Sequence, residues 1–203
     1  MNFYEFRLKM FDLGVFTGNQ VRSWHPEFDT DNITRWVKKN YLVKLRNGYY
    51  TFPEYQNVAS FNLYIANRIY KPSYISLHYT LKFYGIIPEE VTTITSVSTL
   101  KTCGFQNVFG TFSYQTLAKN LYFGYEEKKL NDRAIFMAFL EKAILDLFYL
   151  YEFYNSEKEI ELLRFDKTKL EELDKRILFQ YLEKYQNISL EKRIKMMMRV
   201  YQL

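Results

Sequence analysis

This chain of 203 residues has few of the residues that form disulfides, hold metals or catalyse reactions. Its single cysteine, Cys103, has no partner for an internal disulfide, and the two histidines, His25 and His78, are too few beside it for a zinc site. No glycine-rich phosphate loop and no His-based triad can be assembled from the sequence. We therefore expect no metal, no cofactor and no catalytic residue, and hence a protein that is not an enzyme.

Long apolar runs and a secretion signal are also missing. The first residues, Met1 to Glu5, lack a basic start and an apolar stretch, and no uninterrupted apolar run is long enough to span a bilayer. We therefore expect a cytoplasmic protein without a membrane partner. Hydrophobic residues make up 48% and charged residues 25%, which is typical of a globular chain that folds throughout.

Aromatic residues and a modest positive charge are what the sequence has in excess. Tyrosine, phenylalanine and tryptophan make up 19% of the chain, with only 7 glycines and 4 prolines to interrupt packing. We expect many tyrosines at core edges, with the ring buried and the hydroxyl solvated. The net charge of +5 favours an anionic partner, although this balance alone is weak evidence.

The N-terminal quarter carries a pattern of three short helices. Apolar residues at helical spacing predict helices over residues 4–13 and 18–24, the first ended by Gly14. A third helix begins at Asp29 or Thr30, either of which is a good N-cap, and Asn40 can end it in the left-handed conformation. Its expected buried stripe comprises Ile33, Trp36, Val37 and Tyr41.

A hairpin follows these helices. The pair Asn47-Gly48 lies between two alternating apolar runs over residues 42–52, which is the strongest short-range hairpin signal. Three helices followed by a hairpin is the order of a winged helix-turn-helix. We therefore predict such a DNA-binding domain over residues 1–56.

The charges of this segment favour double-stranded DNA as its partner. Between Trp36 and Phe52 every charged residue is basic. Arginine and asparagine can read base edges, whereas lysine and threonine mostly hold phosphates. A solvated charged face and a protein-docking module remain alternative interpretations. The predicted DNA contacts are Arg22, Asn32, Thr34, Arg35, Lys38, Lys39, Lys44, Arg46 and Asn47.

Residues 57–203 are predicted to form a mixed α+β domain with a small sheet and C-terminal helices. Periodicity predicts helices near residues 61–69, 77–84 and 133–154, and strands near 91–100, 111–117 and 121–125. The segments 157–185 and 190–201 suit amphipathic helices. On the helix over 133–154, Glu141, Lys142 and Asp146 are interpreted as one solvated stripe rather than a site. The last helix offers a second basic patch, formed by Lys192, Arg193, Lys195 and Arg199.

Two fragments imitate catalytic motifs. Asp29-Thr30-Asp31 has the carboxylate spacing of a nucleotidyltransferase metal site, but a helix cap is needed at that position. Ser98-Thr99-Leu100-Lys101 matches the Ser-x-x-Lys of some hydrolases, but the other parts of that signature are absent. We interpret the first as a cap and the second as coincidence.

Several ordered segments resemble the AbiEi family, the antitoxins of type IV toxin-antitoxin systems in abortive infection and phage defence. With the preceding winged helix, the resemblance covers roughly residues 5–150, and the last 50 or so residues match no family we can name. The segments are Ala66 to Leu77, Tyr84 to Glu89, Thr95 to Val97, Phe109 to Tyr114 and Glu141 to Leu147.

The resemblance implies a transcriptional repressor of its own operon that also counteracts a nucleotidyltransferase-like toxin encoded next door, without a stable complex. From one small winged module we expect weak binding by a monomer, so that two copies occupy repeated half-sites in the promoter. The alternatives are a nucleic-acid-processing enzyme targeted by the winged helix, and a winged-helix scaffold that docks proteins.

Overall fold

The computed structural model describes all 203 residues and has an α+β fold, as predicted. No helix in it is both long and apolar enough to cross a membrane. The helices are α1 (Phe3–Met10), α2 (Gly18–Trp24), α3 (Asp31–Lys38), α4 (Phe61–Ile69), α5 (Leu77–Phe83), α6 (Leu140–Leu150), α7 (Glu157–Glu161), α8 (Lys167–Leu170), α9 (Lys175–Tyr185) and α10 (Ile188–Val200). The strands are β1 (Val15–Thr17), β2 (Val43–Arg46), β3 (Tyr49–Thr51), β4 (Ser73–Ile75), β5 (Thr93–Ser98), β6 (Cys103–Asn107), β7 (Gly110–Thr116), β8 (Tyr125–Leu130) and β9 (Arg133–Ala138).

Local sequence signals account for the order of elements in the N-terminal module. Asn2 and Thr17 each cap a helix through a reciprocal capping box, with Glu5 and Gln20 as the partners three residues on. The predicted hairpin is present as β2 and β3, and a short strand, β1, joins it in a three-stranded antiparallel sheet of order β1-β3-β2. The order α1-β1-α2-α3-β2-β3 is that of a winged helix-turn-helix.

The second sheet is larger than the sequence suggested. It has six strands in the order β6-β7-β5-β4-β9-β8. The β4–β9 and β5–β7 pairs are parallel, and the other neighbours are antiparallel. Helix α4 packs against β4 and β9, whereas α6 packs with α5, α9 and α10.

Alternation along the strands gives the molecule two apolar cores. Neighbouring residues of β4 point to opposite faces, so Tyr74 belongs to the core shared with α5, α6, α9 and α10, and Ile75 to the other. The core containing Ile75 extends without a break into the winged module, where it includes Phe6 and Trp36. The N-terminal module therefore shares its core with one face of the large sheet.

Polar contacts reinforce this junction. The Arg133 guanidinium donates to the Asp12 carbonyl oxygen at 3.3 Å and to the Tyr55 hydroxyl at 2.9 Å. The Asn107 side-chain amide donates to the Leu45 carbonyl oxygen at 3.1 Å. Arg133 and Asn107 come from the large sheet, and their acceptors come from the first 56 residues.

Three predictions about elements were wrong. The segment over residues 133–154 is not one helix, because its first six residues form β9 beside β8, and only α6 is helical. The strand expected at 121–125 is the end of a short 3-10 helix (Lys119–Leu121) followed by irregular chain, and β8 starts at Tyr125. Tyr41 is not in the buried stripe of α3, because the helix ends at Lys38, Asn40 turns the chain with φ 58°, and Tyr41 is 47% exposed.

The interpretation of Lys142 and Asp146 as part of a solvated stripe was also wrong. Both side chains are fully buried, because α9 covers this side of α6 and Tyr185 of α9 binds them both. Glu141 is half-buried, and its carboxylate accepts from the Asp174 amide at 3.0 Å.

Candidate nucleic-acid interface

Helix α3 presents one apolar and one polar face. Ile33 and Trp36 are buried in the core of the winged module, as their spacing predicted. The opposite face carries four exposed polar side chains, Thr34, Arg35, Lys38 and Lys39. Asn32, at the edge of this face, is half-buried.

A groove of about 580 Å³ runs between α2, α3 and the hairpin. Arg22 of α2 and Thr34 of α3 line it together with the hairpin turn at Gly48, so the fold brings two of the predicted contacts to one concave surface. We call this the recognition groove. It is lined by Thr17, Gly18, Asn19, Arg22, Thr30, Asp31, Ile33, Thr34, Gly48, Tyr49 and Tyr50.

Arg35 is held in place at the start of the exposed face. Its guanidinium donates to the Asn32 side-chain oxygen at 3.3 Å and to the Asp29 carboxylate at 3.4 Å. The N-cap position of α3 is Thr30, whose side chain makes no capping hydrogen bond. The other oxygen of Asp29, one residue earlier, accepts from the Asp31 amide at 2.9 Å and so satisfies a free amide at the start of the helix. Because the Arg35–Asp29 pair is exposed, it contributes little stability, and the guanidinium can exchange Asp29 for another acceptor.

The two basic residues of the wing have different surroundings. Lys44 is exposed on β2, and Asn47 is exposed at the turn. Arg46 is half-buried, and its guanidinium carbon lies 4.8 Å from the ring centre of Phe105, 5.0 Å from that of Tyr49 and 5.7 Å from that of Tyr70. Arg46 thus stabilises the contact between the wing and the large sheet, which sets it apart from the other predicted contacts.

The second basic patch, predicted on α10, is reduced by burial and pairing. Arg193 is buried, and it donates to the Phe148 carbonyl oxygen at 3.0 Å and to the Ser189 hydroxyl at 2.9 Å. Lys195 pairs with Glu191 at 2.6 Å. On this helix, only Lys192 and Arg199 are exposed cations without such a pair. The prediction of a basic patch formed by all four residues was therefore wrong.

The hydrolase-like fragment is occupied by structural contacts. The Ser98 hydroxyl donates to the Pro72 carbonyl oxygen at 2.6 Å and accepts from the Leu100 amide at 3.1 Å. The serine is fully buried, whereas Lys101 is exposed. The pair therefore does not form a nucleophile and its base.

Some residues of the recognition groove were not predicted. Asn19 lies in the first turn of α2, and Tyr50 lies on β3. The place of Tyr50 beside the groove depends on the pairing of β3 with β1 and β2, which the sequence does not show. The signal available for Asn19 was its position after the capping threonine Thr17. That position places it at the start of the helix preceding α3.

Comparison with models of known protein families and comparison with curated proteins gave no match to this chain.

Proposed function

We propose that the N-terminal module binds double-stranded DNA, with α3 in the major groove and the wing against the backbone. The observation that carries this proposal is the exposed polar face of α3, whose Thr34 lines the recognition groove together with the wing turn at Gly48. A helix that reads DNA must leave its polar face open while its apolar face is held by the core.

Each predicted contact except Arg46 has a role in this proposal. Arg35 and Asn32 read base edges, because a guanidinium and an amide can each form two hydrogen bonds to a purine. Lys38, Lys39 and Lys44 neutralise phosphates and give affinity without sequence preference. Arg22 and Thr34 position the duplex along the recognition groove, and Asn47, exposed at the turn of the wing, contacts the backbone.

We further propose that the protein is a cytoplasmic autorepressor and type IV antitoxin that opposes a nucleotidyltransferase-like toxin. This part rests on the resemblance of residues 5–150 to the AbiEi family. The α+β unit after the winged module supports it, because that unit has an apolar core of its own and contributes no residue to the recognition groove. Two copies would occupy repeated half-sites in the promoter of the operon.

Mobility-shift titration of the full chain on its own promoter tests DNA binding. Lys38→Ala should weaken binding and lower the salt dependence by about one counterion, because one phosphate contact is lost. Lys158→Ala is the control, since it removes an equally exposed lysine from α7. Equal affinity of both variants, or no binding by the wild-type chain, would contradict the proposal.

Coexpression with the neighbouring gene tests the antitoxin role. Growth arrest by that gene product, relieved by the full chain and by an Arg35→Ala variant that no longer represses the promoter, is the expected result. Relief lost together with repression would mean that the chain acts only by regulating transcription.

A further inference from the structure

A second concave surface lies where the winged module meets the large-sheet unit. We call it the junction cleft, and its volume is about 270 Å³. Residues from both parts of the chain line it, so it exists only when the two parts are packed together. The lining residues are Leu13, Val15, Thr17, Gln20, Tyr49, Tyr64, Arg68 and Lys71.

The junction cleft contains two cations and no carboxylate. Neither Arg68 nor Lys71 forms an ion pair with an acidic residue. Lys71 is exposed but partly desolvated, which lowers its pKa, and the positive charge of Arg68 lowers it further. The two charges therefore repel each other in the folded protein, and an anion placed between them would relieve that repulsion.

Arg68 is oriented for such an anion. Its guanidinium carbon lies 4.7 Å from the centre of the Tyr64 ring, which is itself fixed by a hydrogen bond from its hydroxyl to the Leu13 carbonyl oxygen at 3.0 Å. A stacked guanidinium loses little freedom when it binds, and its edge can present two N–H donors to one phosphate.

We propose that the junction cleft binds a small phosphorylated molecule the size of a mononucleotide, with its phosphate between Arg68 and Lys71. Its planar part would lie against Leu13 and Tyr49, which form the apolar side of the cleft. The volume of about 270 Å³ lies just below the range of about 300–1,000 Å³ that is usual for small-molecule sites, so the cleft suits a ligand no larger than a mononucleotide.

The position of the cleft couples this ligand to DNA binding, a consequence that rests on the proposed function. Thr17 and Tyr49 line both the junction cleft and the recognition groove. A bound ligand would fix the wing and the start of α2 relative to α4. Because coupling between two sites is reciprocal, the ligand and the operator would alter each other's affinity by the same factor.

Isothermal titration of the full chain in the absence of DNA tests the site. The probes are the four 5′-mononucleotides, the matching nucleosides and inorganic phosphate. We expect at least one mononucleotide to bind, its nucleoside to fail, and inorganic phosphate to bind more weakly. Arg68→Gln and Lys71→Gln should each weaken binding about tenfold or more, because each removes a charged hydrogen bond to the phosphate. Lys101→Gln, which removes an exposed lysine outside the cleft, should leave it unchanged.

Several outcomes would overturn the proposal. Failure of all four mononucleotides to bind would do so, as would binding that both cleft variants leave intact. If the variants weaken only DNA binding, the cleft contacts the DNA backbone instead of a small ligand. Lys71 is exposed, so its variant keeps the test valid if Arg68→Gln misfolds. Mononucleotide binding without operator binding would support the cleft and contradict only the proposed function.

Discussion

The buried ion pair of α6 offers the sharpest test of the physical reasoning. Lys142 and Asp146 are fully buried, and their side chains are hydrogen-bonded to each other. Asp146 also accepts from the hydroxyls of Tyr74 at 3.0 Å, Ser76 at 2.8 Å and Tyr185 at 2.8 Å. The Lys142 ammonium has one further polar partner, the Tyr185 hydroxyl at 2.6 Å. The carboxylate is therefore better solvated by the protein than the ammonium is.

This asymmetry predicts which variant loses more free energy of unfolding. Asp146→Asn leaves the Lys142 charge buried without a counterion, so we expect the free energy of unfolding to fall by about 3–5 kcal/mol. Lys142→Met leaves a carboxylate that still has three hydroxyl donors, and the expected loss is about 2–3 kcal/mol. The double variant, with both Lys142→Met and Asp146→Asn, leaves no unpaired charge in the core and should lose only about 1 kcal/mol. At about 2–4 °C per kcal/mol for a chain of this size, Asp146→Asn should lower Tm by roughly 6–20 °C.

Urea unfolding followed by far-UV circular dichroism measures all three variants. The matched control is the exposed pair Lys129 and Asp132, whose atoms are 3.1 Å apart, and the same two substitutions there should cost about 0.5 kcal/mol or less. A double variant of α6 that loses the sum of the two single losses would refute the reasoning, because the charges would then not be coupled.

Three further predictions concern DNA contacts, the junction and alkaline pH. In mobility shifts at two salt concentrations, Arg35→Ala should cost about 1–3 kcal/mol and relax preference at one base pair, whereas Lys44→Ala should weaken all sequences alike; preserved specificity with Arg35→Ala would contradict this. Arg133→Ala should lower the free energy of unfolding by about 2 kcal/mol, since it removes two hydrogen bonds and stacking on Tyr55, and a urea midpoint equal to wild type would count against it. Burial raises the pKa of Tyr114, so above about pH 10 the unfolded chain releases a proton that the native chain keeps, and stability falls as pH rises; urea midpoints across this range should fall less steeply for Tyr114→Phe.

The winged module was predictable because its signals are local. A capping threonine, an asparagine at the helix end and an Asn-Gly turn each act on residues within four positions. Asn40 has φ 58° and Gly48 has φ 81°, the left-handed values that these positions require. The one element missed, β1, is three residues long and depends on pairing with β3 across more than thirty residues.

The large sheet was harder to predict, since its pairings join distant segments. Strand β9 and helix α6 are separated only by Phe139, whose side chain provides no helix cap, and no proline or glycine marks the boundary. An apolar run across that boundary therefore has the pattern of one helix. Lys142 and Asp146 were wrongly predicted to be solvated for a related reason. Their partner Tyr185 lies 43 residues beyond Lys142, and an i, i+4 pair gives no sign of whether another helix covers it.

In the candidate site, too, local features could be predicted and long-range packing could not. Exposure of Thr34, Arg35, Lys38 and Lys39 follows from the periodicity of one helix and was predicted correctly. The packing of Arg46 could not be predicted, because the rings around it come from α4's end and from β6 as well as from the wing. The surroundings of a residue at such a junction depend on tertiary contacts with segments that are distant in the sequence.

The shared core changes how the two parts of the chain must be regarded. Composition and motif order suggest a winged module joined to a separate domain near Pro53. However, Phe6 and Trp36 belong to the same continuous core as Ile75 and Met137 of the large sheet. A fragment beginning near residue 57 would expose this face of the sheet to water, and burial of such apolar area contributes about 25 cal/mol per Å². Because the N-terminal module and the large sheet share this core, a change in their relative position requires the core to repack, and the junction cleft is lined by residues of both parts.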